Sequence, residues 1–433
     1  MKQIISLFLA FAMLTAPTAG LRNYEDSKDK GSPSIERSFL NDDPAKDRFS
    51  DFIEYTAPLS NTYHKLNNGE ELNIVFVGGS VTAGFGSTDP DKYSWRALTS
   101  SWFVQNFHDV KINTFNAAIG GTGTSLGVYR LSDDVLSKKP DLVFIEYSIN
   151  DIYATGDMYY ERSLPEAESI YEHSAIQFET IVRNIKKEYP QCDIVTILVT
   201  DRERAEPDEP YPSADAHRDI SKKYGIPVVD VGKALVSSLV SLDDNEWNVY
   251  FTDIVHPTDI GYKNYFDTLE EFLFNSLFAV DFSKAEKTSF SLPPVQSKVL
   301  LDGAPLLTHI TEDILKDSKG FNFYSGAGGN ISTLSNYAYT SDPNAEFVFS
   351  FSGTDIFVWT NLSNDSVISY SIDGGKERKA IGSMITHLAS SLAPGDHTLV
   401  ITPYNLGEES GGNMIIYALL TNDSSWRSIK GDK

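Results

Sequence analysis

The chain has 433 residues, 41% of them apolar and 12% aromatic, so it can bury sizeable cores and is not globally disordered. That length exceeds one ordinary domain and predicts two folded units. A formal net charge of −24, from 60 acidic and 36 basic residues, repels nucleic acid and anionic membranes and leaves neutral or cationic partners.

Met1-Lys2-Gln3 precedes an apolar run from Ile4 to Leu14 and then small residues up to Gly20. A basic start, a short apolar stretch and small residues read as a secretory signal peptide over residues 1–20, which predicts an extracellular protein. The run is too short to span a bilayer, and no later stretch is long enough to form a transmembrane segment after its removal. Residues 21–69 read as a polar extension, flexible up to about residue 50. Strands are expected at 72–78, 110–118, 141–147, 193–199 and 226–230, and helices near 93–107, 124–137, 166–188, 213–224 and 258–278. This alternation predicts an α/β unit over 70–280 with a parallel sheet and helices on both faces. After about residue 283 short strand-like runs take over, among them Glu346–Gly353, Asp355–Trp359, Ser369–Gly375, His397–Ile401 and Asn413–Ala418. Joined by Gly, Pro and Asn turns, they predict a β-sandwich or jelly roll over 285–425, with Pro293 and Pro294 in the linker.

The run Leu72-Asn73-Ile74-Val75-Phe76-Val77 breaks at Gly78-Gly79-Ser80. A buried strand ending in a tight turn places the Ser80 hydroxyl at the carboxyl edge of the sheet, where open α/β sheets bind ligands. A serine is a weak nucleophile until a base takes its proton, and histidine is the natural base near neutral pH. Of the eight histidines only His256 stands in a loop just before the last helix of the α/β unit, and Asp253, three residues back, is close enough to orient its imidazole. The same segment also reads as a helix cap, with Thr258 or Asp253 as the capping residue. Gly120 and Asn150 follow the next two strands; a glycine lets a backbone N–H approach a ligand and an asparagine amide donates, so both are candidates for an oxyanion hole. Cys192 is the only cysteine, which excludes an intramolecular disulfide and a thiolate metal cluster; its place before Ile194–Val199 reads as a buried strand start.

Ser, Gly, Asn and His at the ends of successive elements, in these local sequences, resemble the SGNH (GDSL) hydrolase superfamily. Gly78-Gly79-Ser80-Val81-Thr82 is similar to its nucleophile block, Gly120 to its second, Asn150-Asp151 to its third and Asp253-x-x-His256 to its last. The first block departs from the literal Gly-Asp-Ser form, with Gly79 in the place of Asp. The resemblance, over roughly 70–280, implies a flavodoxin-like three-layer domain and an esterase that works through an acyl-serine. In it Ser80 would be the nucleophile, His256 the base and then the acid, and Asp253 the orienting carboxylate. The Ser80 N–H, the Gly120 N–H and the Asn150 side chain would form the oxyanion hole, with no metal or organic cofactor.

Rival motifs are present. Gly123-Thr124-Ser125-Leu126-Gly127 is a literal Gly-x-Ser-x-Gly, which would make Ser125 the nucleophile of an α/β-hydrolase elbow but leaves Ser80 and Asn150 without roles. The same cluster lacks the third glycine of a dinucleotide loop, and Gly79–Gly84 lacks the lysine of a P-loop. The second unit is similar to jelly-roll modules that accompany carbohydrate esterases, on Phe351–Ile356 and Tyr370–Gly375. Trp359, Tyr370 and Tyr404 are candidates for a sugar-stacking platform, although at alternate spacing such residues are more often part of a core. Sequons stand at Asn330, Asn361, Asn364 and Asn422. The expected activity is deacetylation of a polysaccharide by a secreted serine esterase. The alternatives are a secreted lipase or carboxylesterase acting on lipid or small acyl esters, and an inactive carbohydrate-binding protein. The absence of a long apolar lid segment near the site favours small acyl groups.

Overall fold

The computed structural model describes residues 48–54, 59–152, 169–279, 291–297, 305–326, 335–362, 365–382, 384–389 and 392–422. The expected signal peptide and most of the expected leader lie outside them. The first unit runs β1 (Ile53–Glu54), α1 (Ser60–Asn67), β2 (Leu72–Gly78), α2 (Ser80–Ala83), α3 (Pro90–Tyr93), α4 (Trp95–Asn106), β3 (Ile112–Asn116), α5 (Thr124–Asp134), β4 (Leu142–Glu146) and α6 (Ser148–Asp151). It continues with α7 (Ile170–Glu188), β5 (Asp193–Leu198), α8 (Pro212–Tyr224), β6 (Val228–Asp230), α9 (Val231–Ser238), α10 (Asp244–Tyr250) and α11 (Asp259–Leu277).

These strands form one sheet in the order β1-β6-β5-β4-β2-β3, parallel except for β1 at the edge. The central strands are buried on both faces, which is why they read as unbroken apolar runs. Ile74, Phe76 and Phe144 face a cluster with Trp95, Trp247 and the helices α4, α9 and α11. Val75, Val77, Val143 and Ile145 face the opposite layer, built from α5, α7 and α8. The chain passes from β2 to β3 on one side and then crosses to β4 on the other, so the connections diverge above the carboxyl ends of β2 and β4. A doubly wound sheet opens its crevice at that point.

The polar extension expected over 21–69 differs from the structure in its last part. β1 pairs with β6, and α1 lies against the sheet, burying Leu59 and Leu66 while the Thr62 N–H donates to Asp193 Oδ2 at 2.8 Å. The apolar side chains that go inward here are scattered, with Asn61 and Thr62 buried among them, so composition did not reveal it. Cys192 is buried ahead of β5, and burial pushes its thiol well above the usual range.

The second unit is all β: β7 (Pro305–His309), β8 (Asn322–Ser325), β9 (Asn336–Thr340), β10 (Phe347–Ser352), β11 (Asp355–Thr360), β12 (Val367–Ile372), β13 (Arg378–Ile381), β14 (Ile385–Ala389), β15 (Asp396–Asn405) and β16 (Met414–Asn422). One antiparallel sheet has the order β10-β15-β12-β13; the other has β14-β11-β16-β9-β8, with β7 also on β16. Phe347, Phe349, Ile368, Leu399 and Ile401 of the first meet Ala338, Ile356, Val358, Met414 and Ile416 of the second in the sandwich core. The Asp-Gly turn signal is realised after β12, where Asp373 and Gly374 take φ of 54° and 66° and Gly375 N–H closes on Ile372 O at 2.9 Å.

The outer face of the larger sheet packs on the α/β unit. Phe357, Trp359, Tyr417 and Leu420 share an apolar cluster with Ile119, Leu126 and Tyr129, and His309 Nε2 lies 2.7 Å from Asp133 Oδ2. Ahead of β7, residues 291–297 are tied to α7. Arg183 donates to Pro293 O at 2.8 Å, and the Glu179 carboxylate accepts from the N–H groups of Gln296 and Ser297 at 2.7 and 2.6 Å. Among the described residues no helix is long and apolar enough to cross a membrane.

Candidate active site

β2 ends at Gly78, and Ser80 opens the short helix α2 directly above it. The turn is crowded by design of its small residues. A Cβ on Gly78 would meet Thr82 Oγ1 at 2.3 Å and Glu146 O at 2.5 Å, and a Cβ on Gly79 would meet Asn150 Oδ1 at 2.1 Å. As the structure stands, a side chain at position 79 would displace the Asn150 amide. Ser80 is buried except for about a twelfth of its surface, at 8% exposure.

Across the crevice, the loop between α10 and α11 brings His256 to Ser80. His256 Nε2 lies 2.7 Å from Ser80 Oγ, and its Nδ1 lies 2.7 Å from Asp253 Oδ2. The other carboxylate oxygen of Asp253 accepts the backbone N–H groups of Val255 and His256, each at 2.8 Å. Burial opposes the charge on Asp253, but the bonds from His256 and the backbone outweigh it and hold the carboxyl below its usual range. Asp253 therefore faces the imidazole, while Thr258 caps α11 by accepting from the Gly261 N–H at 3.3 Å. A hydroxyl, an imidazole and an ionised carboxylate joined in this order are placed for the proton of Ser80 to pass to Nε2.

The loops carrying the two halves are fixed to one another. Ser87 and Thr88 bond the Asp259 carboxylate at 2.5 to 3.0 Å, and from the loop after β5 the Arg202 N–H braces the His256 loop by donating to Ile254 O at 2.8 Å. Gly86, at φ of 88°, runs so close to the His256 loop that a Cβ would meet Pro257 O at 2.4 Å. Sequence reading offered no sign of Asp259 or Arg202, whose bonds join segments remote in the chain.

Gly120 and Asn150 lie at the ends of the strands flanking β2. A Cβ on Gly120 would stand 3.0 Å from the Phe85 ring and 3.6 Å from Ser80 Cβ, so the Gly120 backbone borders the nucleophile turn. Asn150 sits in α6 over Gly79, and its Oδ1 is buried without a hydrogen-bond partner among the described residues. The five residues expected at the site thus share one edge of the sheet.

Ser125 lies elsewhere. It is in the first turn of α5, buried, with its Oγ 3.1 Å from His173 Nε2 and 3.0 Å from Gln177 Oε1. Burial lowers the His173 pKa. Asp151 closes the neighbouring network: it accepts from the Thr124 N–H at 2.8 Å and from Thr124 Oγ1 at 2.9 Å, and meets His217 Nε2 at 3.0 Å. This cluster anchors the loop after β3 to α6 and α8. Its side chains are almost fully buried.

Two of the three platform candidates are core residues, as their alternate spacing suggested. Trp359 is fully buried against the α/β unit and Tyr370 points into the sandwich, its hydroxyl donating to Leu388 O at 2.6 Å; only Tyr404 is exposed. Exposed rings gather instead on β8 and β9. Tyr324 pairs in register with Tyr337, their rings stacked 4.6 Å apart, and Tyr339 lies two residues along the same face. Tyr324 is 47% and Tyr339 40% exposed. Among the described residues no three His, Cys, Asp or Glu side chains are grouped to hold a metal ion.

Residues 76–263 match the model of the GDSL-like Lipase/Acylhydrolase family. Among solved structures, the chain is similar to a two-domain esterase active on acetylated mannans, with a TM-score of 0.64 at 16% identity, covering 87% of this chain and 98% of that one. The same esterase crystallised with mannopentaose gives 0.63 at 17% identity over the same shares. These likenesses extend over both units and concern the fold. No curated protein sequence matches the chain. The family match spans β2 to α11 and holds both halves of the site, so the α/β unit carries a GDSL-like Lipase/Acylhydrolase domain, the domain of an ester-bond hydrolase.

Proposed function

We propose that the chain is a secreted serine esterase that removes acetyl groups from a polysaccharide. The observation that carries the mechanism is the pair of 2.7 Å contacts linking Ser80 Oγ, His256 and Asp253. In this reading His256 Nε2 takes the Ser80 proton as Oγ attacks the ester carbonyl, and then returns it to the leaving alcohol. Asp253 holds the imidazole in one tautomer and stabilises the imidazolium. Negative charge developing on the carbonyl oxygen is met by the Ser80 N–H, the Gly120 N–H and the Asn150 amide. Water then hydrolyses the acyl-serine with His256 as base. No step calls for a metal or organic cofactor.

The polysaccharide substrate is supported by three things: the two-domain likeness to an esterase active on acetylated mannans, the exposed tyrosines on β8 and β9, and the acidic surface, which suits a neutral polymer. The test compares acetate release from acetylated mannan and acetylated xylan with hydrolysis of p-nitrophenyl acetate and p-nitrophenyl octanoate, for wild type and Ser80→Ala. Glycan deacetylation lost in the variant supports the reading. Preference for octanoate supports a lipase or general carboxylesterase instead, and wild type inert on every ester supports a sugar-binding protein. Amino-terminal sequencing of the exported protein tests secretion, with a new terminus after Gly20 expected and an intact Met1 overturning it.

A further inference from the structure

Glu146 is a buried acid that the proposed mechanism does not use. It ends β4 directly beside Gly78, its register partner on β2, and is fully buried. Its Oε2 accepts the Thr82 hydroxyl at 2.8 Å, while its Oε1 is enclosed without a hydrogen-bond partner among the described residues. Thr82 sits in α2, the four-residue turn that Ser80 opens, and the rest of that turn is also held from outside. Arg96 Nε donates to Thr82 O at 3.3 Å, and the Tyr262 hydroxyl donates to Val81 O at 3.1 Å.

The geometry points to Glu146 as a positioning residue for Ser80, its carboxyl gripping the Thr82 hydroxyl from below and so fixing the turn that presents the nucleophile. This rests on Ser80 being the nucleophile, as proposed above. Burial pushes the Glu146 carboxyl up to about 8, against the opposing bonds from the Thr82 hydroxyl and from the backbone N–H groups of Gly79 and Thr82. An ionised carboxylate with one oxygen unpaired in a dry site is costly, so the neutral acid is the form in place at neutral pH. The groups around it agree. Tyr211, Tyr262 and Tyr265 are buried and held neutral, and Asp151 opposes a second negative charge, while the nearby cation, Arg96, is turned to Thr82 O. Neutral Glu146 leaves the floor of the site uncharged. Ionised, it sets a negative charge beneath the place where the substrate oxygen becomes negative, which raises the barrier.

The test is a set of pH profiles for p-nitrophenyl acetate hydrolysis by wild type, Glu146→Gln, Glu146→Leu, Thr82→Val and Ser80→Ala. Glutamine keeps a hydrogen-bonding group but cannot ionise. Glu146→Gln is expected to keep kcat within about threefold at neutral pH and to lose the decline that wild type shows between about pH 7 and about pH 9. Glu146→Leu and Thr82→Val are expected to lose about tenfold to a hundredfold in kcat with KM nearly unchanged, as a displaced nucleophile does. A Glu146→Gln profile that superimposes on wild type overturns the proposal, as does full kcat in Thr82→Val. If Glu146→Leu does not fold, the glutamine and valine variants decide. Activity persisting in Ser80→Ala would sink the nucleophile assignment itself, a failure distinct from an unchanged Glu146→Gln profile.

Discussion

The Asn150 side chain occupies the space that a side chain at Gly79 would need, with Oδ1 2.1 Å from the position of a Cβ. The backbone of the nucleophile turn and the amide proposed for the oxyanion hole are therefore one packed unit. Gly79→Ala is expected to push Asn150 aside and lower kcat by about a hundredfold, the scale of removing one oxyanion donor. Asn150→Ala should cost about the same, and the double variant little more, because both changes remove a single contribution. Additive losses in the double-mutant cycle would contradict this.

Asp253 holds His256 through both oxygens, so Asp253→Asn should leave the fold intact while lowering kcat by about a thousandfold or more, since an amide supports the wrong tautomer. Asp253 ionises below its usual range in the fold, so its contribution to stability is complete above the ordinary carboxyl pKa of about 4 and is lost as pH falls through the lower folded value. Thermal melts in acid should consequently decline less steeply for Asp253→Asn than for wild type.

Ser125→Ala should keep esterase activity within about threefold while costing about 1 to 2 kcal/mol of stability, because its hydroxyl serves only the buried bonds to His173 and Gln177. Loss of turnover in a folded Ser125→Ala protein would reopen the Gly-x-Ser-x-Gly reading.

His309 is raised by its hydrogen bond to Asp133, and the pair joins the two units. A raised histidine stabilises the fold fully below its ordinary pKa of about 6.5, and that stabilisation is lost as pH rises through the higher folded value. Both side chains keep about a third of their surface in water, so the effect should stay under about 1 kcal/mol. His309→Gln should lower the melting temperature in mildly acidic buffer and leave it unchanged in alkaline buffer. An equal shift at both ends would rule out the ion pair as its cause.

Tyr324→Ala combined with Tyr339→Ala should raise KM on an acetylated glycan about thirtyfold, the loss of about 1 kcal/mol per stacked ring, with p-nitrophenyl acetate turnover unchanged. Equal effects on both substrates would count against sugar stacking at this face.

Why some of this was legible in the sequence is physical. A buried parallel strand is apolar throughout and must end in a turn, so the run into Gly78-Gly79-Ser80 located the carboxyl edge of the sheet, and Gly120 and Asn150 followed from the same rule, while His256 was marked by its loop ahead of the last helix. Ser80 and His256 stand 176 positions apart, yet each announces itself as an end of an element. Glu146 did not. In sequence it is one acid at the close of an apolar strand, and only the pairing of β4 with β2 places it under Thr82. Residues 53–67 were hidden because α1 is polar around most of its circumference. Strand alternation says that Trp359 and Tyr370 each face something, but not whether it is the sandwich core, the other unit or water.

The cluster of Leu126 and Tyr129 with Phe357 and Trp359 bears on how the protein can be dissected. A fragment ending after Leu277 would bare greasy side chains only a few positions from Gly120, and would also lose the grip of Glu179 and Arg183 on the strap beyond it. Such a fragment should clump or loosen around its own catalytic loop. Weak turnover by the shortened enzyme would then report a damaged wall, even if the discarded sandwich never touches a sugar.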